Sequence, residues 1–160
     1  MTEGYDWGKL NRLQLSRYAE YFVTMEFTRH GFAVYTAEVD DKGIDFIVRK
    51  EHPPEVIEVE YRYNDVQVKS ARRLNYVFIR KDKLVLRENL LVAVALFENG
   101  GLPNLYLIPA TVWQQPDALF VDRDYKGLKE CNPEWGLNLS RRNLDLLEQY
   151  RFGRTVEQIR

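Results

Sequence analysis

A chain of 160 residues, 45% of them hydrophobic, has the size of one domain around a single core, and no stretch approaches the ~20 apolar residues of a membrane helix. The formal net charge of −1 argues against a general nucleic-acid coat protein, and the lone cysteine, Cys131, excludes an internal disulfide and points to a reducing, cytoplasmic setting. His30 and His52 are too few for a zinc site of the Cys/His kind, and Met1 to Lys9 lacks the apolar segment of a signal peptide.

Met1 to Gly8 reads as a loose lead-in. From Lys9 to His30 the apolar residues Leu10, Leu13, Tyr18, Tyr21, Phe22, Met25 and Phe27 recur at near-helical spacing, and Gly31 is a natural stop. Glu20 lies within that helix. Phe32 to Thr36 predicts a first strand and Ile44 to Lys50 a second, opened by Gly43-Ile44-Asp45. His52-Pro53-Pro54 predicts a turn, because prolines cannot continue a ladder. Val56 to Tyr63 is a third run, with Ile57, Val59, Tyr61 and Tyr63 on one face and Glu58, Glu60 and Arg62 on the other.

At this point the alternation changes phase. Odd positions are apolar from Val56 to Tyr63 but polar in Asp65-Val66-Gln67-Val68-Lys69-Ser70, so one unbroken strand would swap its faces. Asn64-Asp65 is therefore expected to form a bulge or turn that resets the register. A tight hairpin centred on Pro53-Pro54 would set Asp45 opposite Arg62, with Glu60 on the same face. Glu58 and Glu60 thus rival Gln67 as partners of Asp45, and the pattern leaves the choice open.

Further along, Tyr76 to Ile79 predicts a strand, and the almost wholly apolar Leu90 to Phe97 predicts one buried on both faces. Asn99-Gly100-Gly101 makes a turn, Leu105 to Ile108 a strand ending at Pro109, Ala110 to Gln115 one helical turn, and Leu119 to Val121 a short strand. Asp122 to Trp135 has the composition of a loop. Ser140 is placed to N-cap a helix from Arg141 to Tyr150, with a short helical or frayed tail to Arg160.

Charge is unevenly spread. Acids dominate from Glu38 to Asp65, in Glu38, Asp40, Asp41, Asp45, Glu51, Glu55, Glu58, Glu60 and Asp65. Lys69, Arg72, Arg73, Arg80, Lys81, Lys83 and Arg87 then face Asp82 alone. Acids beside bases suit a metal-dependent enzyme acting on a phosphodiester, although solvated surface gives the same pattern. If the strands holding Asp45 and Gln67-Lys69 are neighbours, a carboxylate, an amide oxygen and an ammonium converge on one side of a sheet. Magnesium takes one or two carboxylates and keeps several waters, so Asp45 would be its principal ligand and Gln67 a neutral one. Lys69 could orient the attacking water or offset developing charge, and Glu20 could hold a metal-bound water.

The order of a helical Glu20, Gly43-Ile44-Asp45 opening a strand and Gln67-Val68-Lys69-Ser70 closing another resembles the PD-(D/E)XK nuclease superfamily. The Gln-x-Lys form of the last motif resembles Mrr-type restriction endonucleases, and the stretch from about Lys9 to Tyr150 is similar to small prokaryotic proteins of that fold. The resemblance implies an α/β (α+β) chain with a restriction endonuclease-like core, a mixed central sheet flanked by helices in the order αβββαβ. It implies a nuclease hydrolysing phosphodiester bonds, preferably in DNA, with Mg2+ or Mn2+ as cofactor and Glu20, Asp45, Gln67 and Lys69 as catalytic and metal-binding residues. Most of the superfamily has Asp or Glu where this chain has Gln67. Lys9, Arg12, Arg72 and Arg73 are candidates for phosphate contacts. Two alternatives from other classes are a nucleic-acid-binding module without chemistry, and a protein–protein adaptor in a defence or toxin-like system presenting Tyr76, Trp113, Tyr125 and Trp135.

Overall fold

A computed structural model describes residues 4–39 and 42–160. Met1 to Glu3 of the expected lead-in, and Asp40 and Asp41 of the acidic run, lie outside the described residues. The lead-in is not loose where it is described. Trp7 opens a 3-10 turn, Trp7–Lys9, and is buried between Tyr18 and Phe97. Its backbone N–H donates to Asn99 Oδ1 (3.1 Å) and its indole N–H to the Gly101 carbonyl (3.0 Å), which ties the N-terminus to the Asn99-Gly100-Gly101 turn.

Helix α1, Arg12–Arg29, starts at a capping box in which Asn11 Oδ1 accepts from the Gln14 N–H and Gln14 Oε1 from the Asn11 N–H, each at 2.9 Å. Its buried stripe is Leu15, Ala19, Val23 and Phe27, spaced by four, while Leu13, Tyr21 and Met25 stay exposed. Strands β1 (Phe32–Thr36), β2 (Phe46–Lys50) and β3 (Tyr63–Ala71) follow as an antiparallel meander. β4 (Tyr76–Arg80) leaves this sheet, and β5 (Leu90–Leu96) returns to lie parallel to β3, with β6 (Asn104–Pro109) antiparallel beyond it. The order is β1-β2-β3-β5-β6.

β4 belongs instead to a second sheet, β4-β8-β7, built with β7 (Phe120–Arg123) and β8 (Glu134–Asn138). Short helices α2 (Leu144–Glu148) and α3 (Phe152–Val156) close the chain. The protein is thus a mixed α+β structure around a mixed sheet. The crossover from β3 to β5 runs through strand β4, where the αβββαβ order expects a helix.

The sheet has a core on each side. Phe46, Val48, Val66, Leu91, Ala93 and Ala95 meet α1 on one side, with Phe152 and Val156. Leu90, Val92, Val94, Leu96, Tyr106 and Ile108 meet the second sheet on the other, with Trp113 and Leu119. That is why β5 reads as a continuous apolar run: its odd residues serve one core and its even residues the other.

Several expectations are revised. Residues 51–62 form no strand, and Ile57 is 94% exposed, so alternation alone does not make a strand where no neighbour offers a ladder. Asn64 and Asp65 are neither bulge nor turn but regular positions of β3, paired with Val48 and Ile47. The change of phase marks the end of a loop, not a kink in a strand. Glu134 to Asn138, half hidden at the end of a loop-like stretch, is β8. Ser140 occupies the cap position without a side-chain capping bond, and a 3-10 turn, Arg141–Asn143, precedes α2. Among the described residues no helix is long and apolar enough to cross a membrane.

The second sheet depends on a glycine. A Cβ on Gly136 would collide with the phenol edge of Tyr76 on neighbouring β4, and Arg123 stacks on the same ring, 4.2 Å from its centroid. Gly136→Ala is expected to lose about 1–3 kcal/mol by overpacking. Urea denaturation should show that loss and its partial recovery when Tyr76 is also truncated to Ala.

Candidate functional site

The site is built where β2 begins. Gly43 takes a left-handed turn (φ 71°) that brings the chain to β2, and a side chain there would press on the Lys83 carbonyl and on Gln67 Nε2, 3.1 and 3.3 Å from its Cβ. Asp45 follows, one residue before the strand. Its N–H donates to the Val66 carbonyl (2.9 Å), and its Oδ2 accepts from the Val68 N–H (2.6 Å). Asp45 therefore brackets Gln67, with backbone bonds on both sides of it. The carboxylate stands in for the backbone acceptor that β2 no longer supplies.

Val66 and Val68 turn to the α1 side, so Gln67 and Lys69 turn to the other. Gln67 is 6% exposed, and its Oε1 is buried without a hydrogen-bond partner. An orphaned amide oxygen costs about 1–3 kcal/mol, a cost that a bound cation, a donor or a water would relieve. A carboxylate and an amide oxygen are the kind of donor a hard divalent ion takes, so Asp45 and Gln67 are the residues that could hold one, with water for the rest. Among the described residues no group of three or more His, Cys, Asp and Glu side chains is assembled that could hold a metal.

Gln67 and Lys69 line a cavity of about 530 Å³ between β3, the start of α1 and β4. Its walls carry five cations, Arg12, Lys69, Arg72, Arg80 and Lys83, and no described carboxylate. Arg80 is paired with Asp82 at 2.5 Å, and Arg72 donates to the Leu10 carbonyl, which fixes its guanidinium at the head of α1. Ser16 and Ser70 hydroxyls meet at 3.3 Å on the same wall. Such a pocket offers oxyanions a concentrated positive field. On the β4 wall, burial first and then the nearby Glu134 carboxylate push the Tyr76 phenol up to about 12, so it stays neutral.

The expected residues divide clearly. Asp45, Gln67 and Lys69 come together. Arg12 and Arg72 face the same cavity, while Arg73 and Lys9 are exposed outside its lining. Glu20 is ion-paired with Arg17 (2.8 Å) on α1 and is not part of the lining. Glu58 and Glu60 are exposed in the 51–62 connection, at the end of the β2–β3 hairpin remote from Asp45, because Tyr63 pairs with Arg49 and not with a residue near Asp45. Arg62 likewise lies at that remote end. Of the interface aromatics, Trp113 is buried with its indole N–H on the Gly136 carbonyl (2.8 Å), and Trp135 donates to the Leu84 carbonyl (3.1 Å). Tyr125 donates to Glu134 Oε1 (2.7 Å). These rings serve the second sheet.

Sequence reasoning missed Arg80, Lys83 and Ser16 as parts of the wall. Arg80 and Lys83 stood in the basic run that the sequence displayed, but nothing there said that β4 folds over β3. Comparison with family models, with curated proteins and with solved structures gives no match.

Asp45 has a structural task separable from any chemistry. Asp45→Ala strands the Val68 N–H and is expected to cost about 1–3 kcal/mol, whereas Asp45→Asn keeps an acceptor and most of the stability. Chemical denaturation of the two variants checks this.

Proposed function

We propose that this chain is a metal-dependent nuclease of the PD-(D/E)XK kind, acting on phosphodiester bonds with DNA as the preferred substrate, and that its helix–three-strand–strand core is a restriction endonuclease-like fold whose second helix is replaced by β4. The observation that carries the reading is the orphaned Oε1 of Gln67, a residue held between the backbone bonds of Asp45 and lining a cavity walled by cations. A divalent ion on Asp45 and Gln67 would polarise the phosphoryl oxygen and lower the pKa of a bound water. Arg12, Arg72 and Lys83 would seat the phosphate. Lys69, two residues along β3 from Gln67, would orient the water and offset charge developing on the phosphoryl oxygens. Gln67 in place of a carboxylate lowers the ligand charge, which favours weak metal binding and activity at millimolar Mg2+ or in Mn2+.

Purified protein is expected to cleave supercoiled or linear DNA in Mg2+ or Mn2+ and not in EDTA. Asp45→Asn and Lys69→Ala should each lower the rate by about 100-fold or more with little change in stability. Gln67→Glu, which restores the commoner carboxylate, should tighten the metal requirement to lower concentration. Metal-independent behaviour of all variants would refute the hydrolytic reading.

A second reading has its own support: Asp45 Oδ2 is already committed to Val68, and Glu20 to Arg17. Under it the cavity binds nucleic acid without cutting. Binding then falls steeply with salt, ignores Mg2+, and loses about one unit of log–log salt slope in Arg12→Ala. Fluorescence anisotropy across a salt series decides between the two.

A further inference from the structure

The face that presents Gln67 and Lys69 continues past Asp65 to a second feature at the other end of the sheet. In register, Tyr63 pairs with Arg49, and Asp65 with Ile47 and through it with Tyr35. Cross-strand partners point to the same side, so Tyr35, Arg49 and Tyr63 share the face of Gln67 and Lys69. There the second sheet does not cover them. Tyr35, Tyr61 and Tyr63 are 44, 42 and 49% exposed. The Arg49 guanidinium lies 4.2 Å from the Tyr61 ring centroid, 5.7 Å from Tyr35 and 5.8 Å from Tyr63, and also donates to the Tyr63 hydroxyl (3.3 Å). One cation thus holds three half-bare rings as a ready-made platform.

We propose that this platform stacks unpaired bases, and that the substrate of the adjoining site is nucleic acid with a single-stranded segment. The inference deepens the nuclease reading and rests on it for the scissile phosphate. Two further observations support it. Tyr63 and Gln67 are four residues apart on β3, ~13 Å at strand spacing, so a strand stacked on the platform reaches Gln67 and Lys69 along the same face. A cavity of about 700 Å³ lies along the way, lined by Tyr35, Ile44, Ile47 and Val85, with the Asp65–Arg87 ion pair on its wall.

The charge is distributed as such a strand requires. Arg49 is balanced by Glu51 at 2.6 Å and Arg87 by Asp65, so the guanidinium that holds the rings is itself paired with a carboxylate. The cations concentrate at the opposite end, in the cavity with Lys69, where phosphate charge would lie. A duplex keeps its base faces inside its own stack and offers exposed rings nothing to cover. Unpaired bases do, and aromatic stacking with arginine support is the sequence-tolerant way to hold them.

The test is fluorescence anisotropy of the full chain in EDTA, with a labelled oligo(dT) of about 15 nucleotides and a blunt duplex of equal length. Oligo(dT) should bind at least about tenfold tighter, and Tyr61→Ala or Tyr35→Ala should each weaken it by about tenfold while leaving duplex binding unchanged. Tyr61→Phe, which keeps the ring, should stay within about twofold of the parent. Photo-crosslinking of oligo(dT) to the unmodified protein should map to Tyr35, Tyr61 or Tyr63, which frees the conclusion from any folding defect in a variant. Equal affinity for the two probes, crosslinks confined to the β4 wall, or a dimer that Tyr61→Ala dissociates would overturn the platform. Selective oligo(dT) binding without metal-dependent cleavage would uphold the platform and overturn the nuclease. Cleavage lost in Asp45→Asn, with Tyr variants binding as the parent does, would do the reverse.

Discussion

The bond from the Val68 N–H to Asp45 Oδ2 is the constraint on which the arrangement turns. β3 is paired on both sides, with β2 antiparallel and β5 parallel, but β2 begins only at Phe46, opposite Val66, while β3 runs on to Ala71. A charged side chain completes the ladder at the step where the backbone of β2 has left it. The local solution is stabilising by itself, since a carboxylate acceptor forms a stronger bond than a carbonyl. It also sets Asp45 across from Gln67, whose amide oxygen is buried without a hydrogen-bond partner and which lines the cavity. Stability and candidate chemistry share the same residue, which is why an Asn at position 45 and an Ala there ask different questions.

The second sheet turns this edge into a site. Had the chain joined β3 to β5 through a helix, the face bearing Gln67 and Lys69 would have met a helix flank. β4 instead pairs with β8, and its outer residues close over β3 from the opposite side, adding Arg80 and bringing Lys83 near Gly43. The result is a walled pocket, not an open groove. Its cations sit on three elements that are far apart in the chain: the head of α1, the end of β3 and the β4 region.

A pocket rich in cations at one end of a strand and an aromatic surface at the other share one face. Arg49 and Arg87 are paired with Glu51 and Asp65, and the cavity around Lys69 gathers five cations, of which Arg80 is paired with Asp82. The same α+β scaffold supports both ends because β3 spans them. Trp113 and Trp135, the aromatic anchors expected of a protein-binding surface, are instead occupied with internal hydrogen bonds.

Much of the architecture was legible in the sequence because it is local. The capped helix before Gly31, the strand Phe32–Thr36 and the doubly buried Leu90–Leu96 carry their own spacing, and Asp45, Gln67 and Lys69 could be singled out as chemistry-bearing residues at strand ends. The phase change near Asn64 showed that something was interrupted but not what. Alternation in Val56–Arg62 imitates a strand, and only the pairing of Tyr63 with Arg49 demotes it to a loop and takes Glu58 and Glu60 away from Asp45. The folding of β4 over β3, the commitment of Glu20 to Arg17, and the gathering of Arg12, Lys69, Arg72, Arg80 and Lys83 on one cavity were likewise decided by tertiary structure. The physical reason is common to all of them. Side-chain spacing reports which face a residue occupies on its own element, while partner, register and crossover depend on contacts between segments that no local pattern encodes.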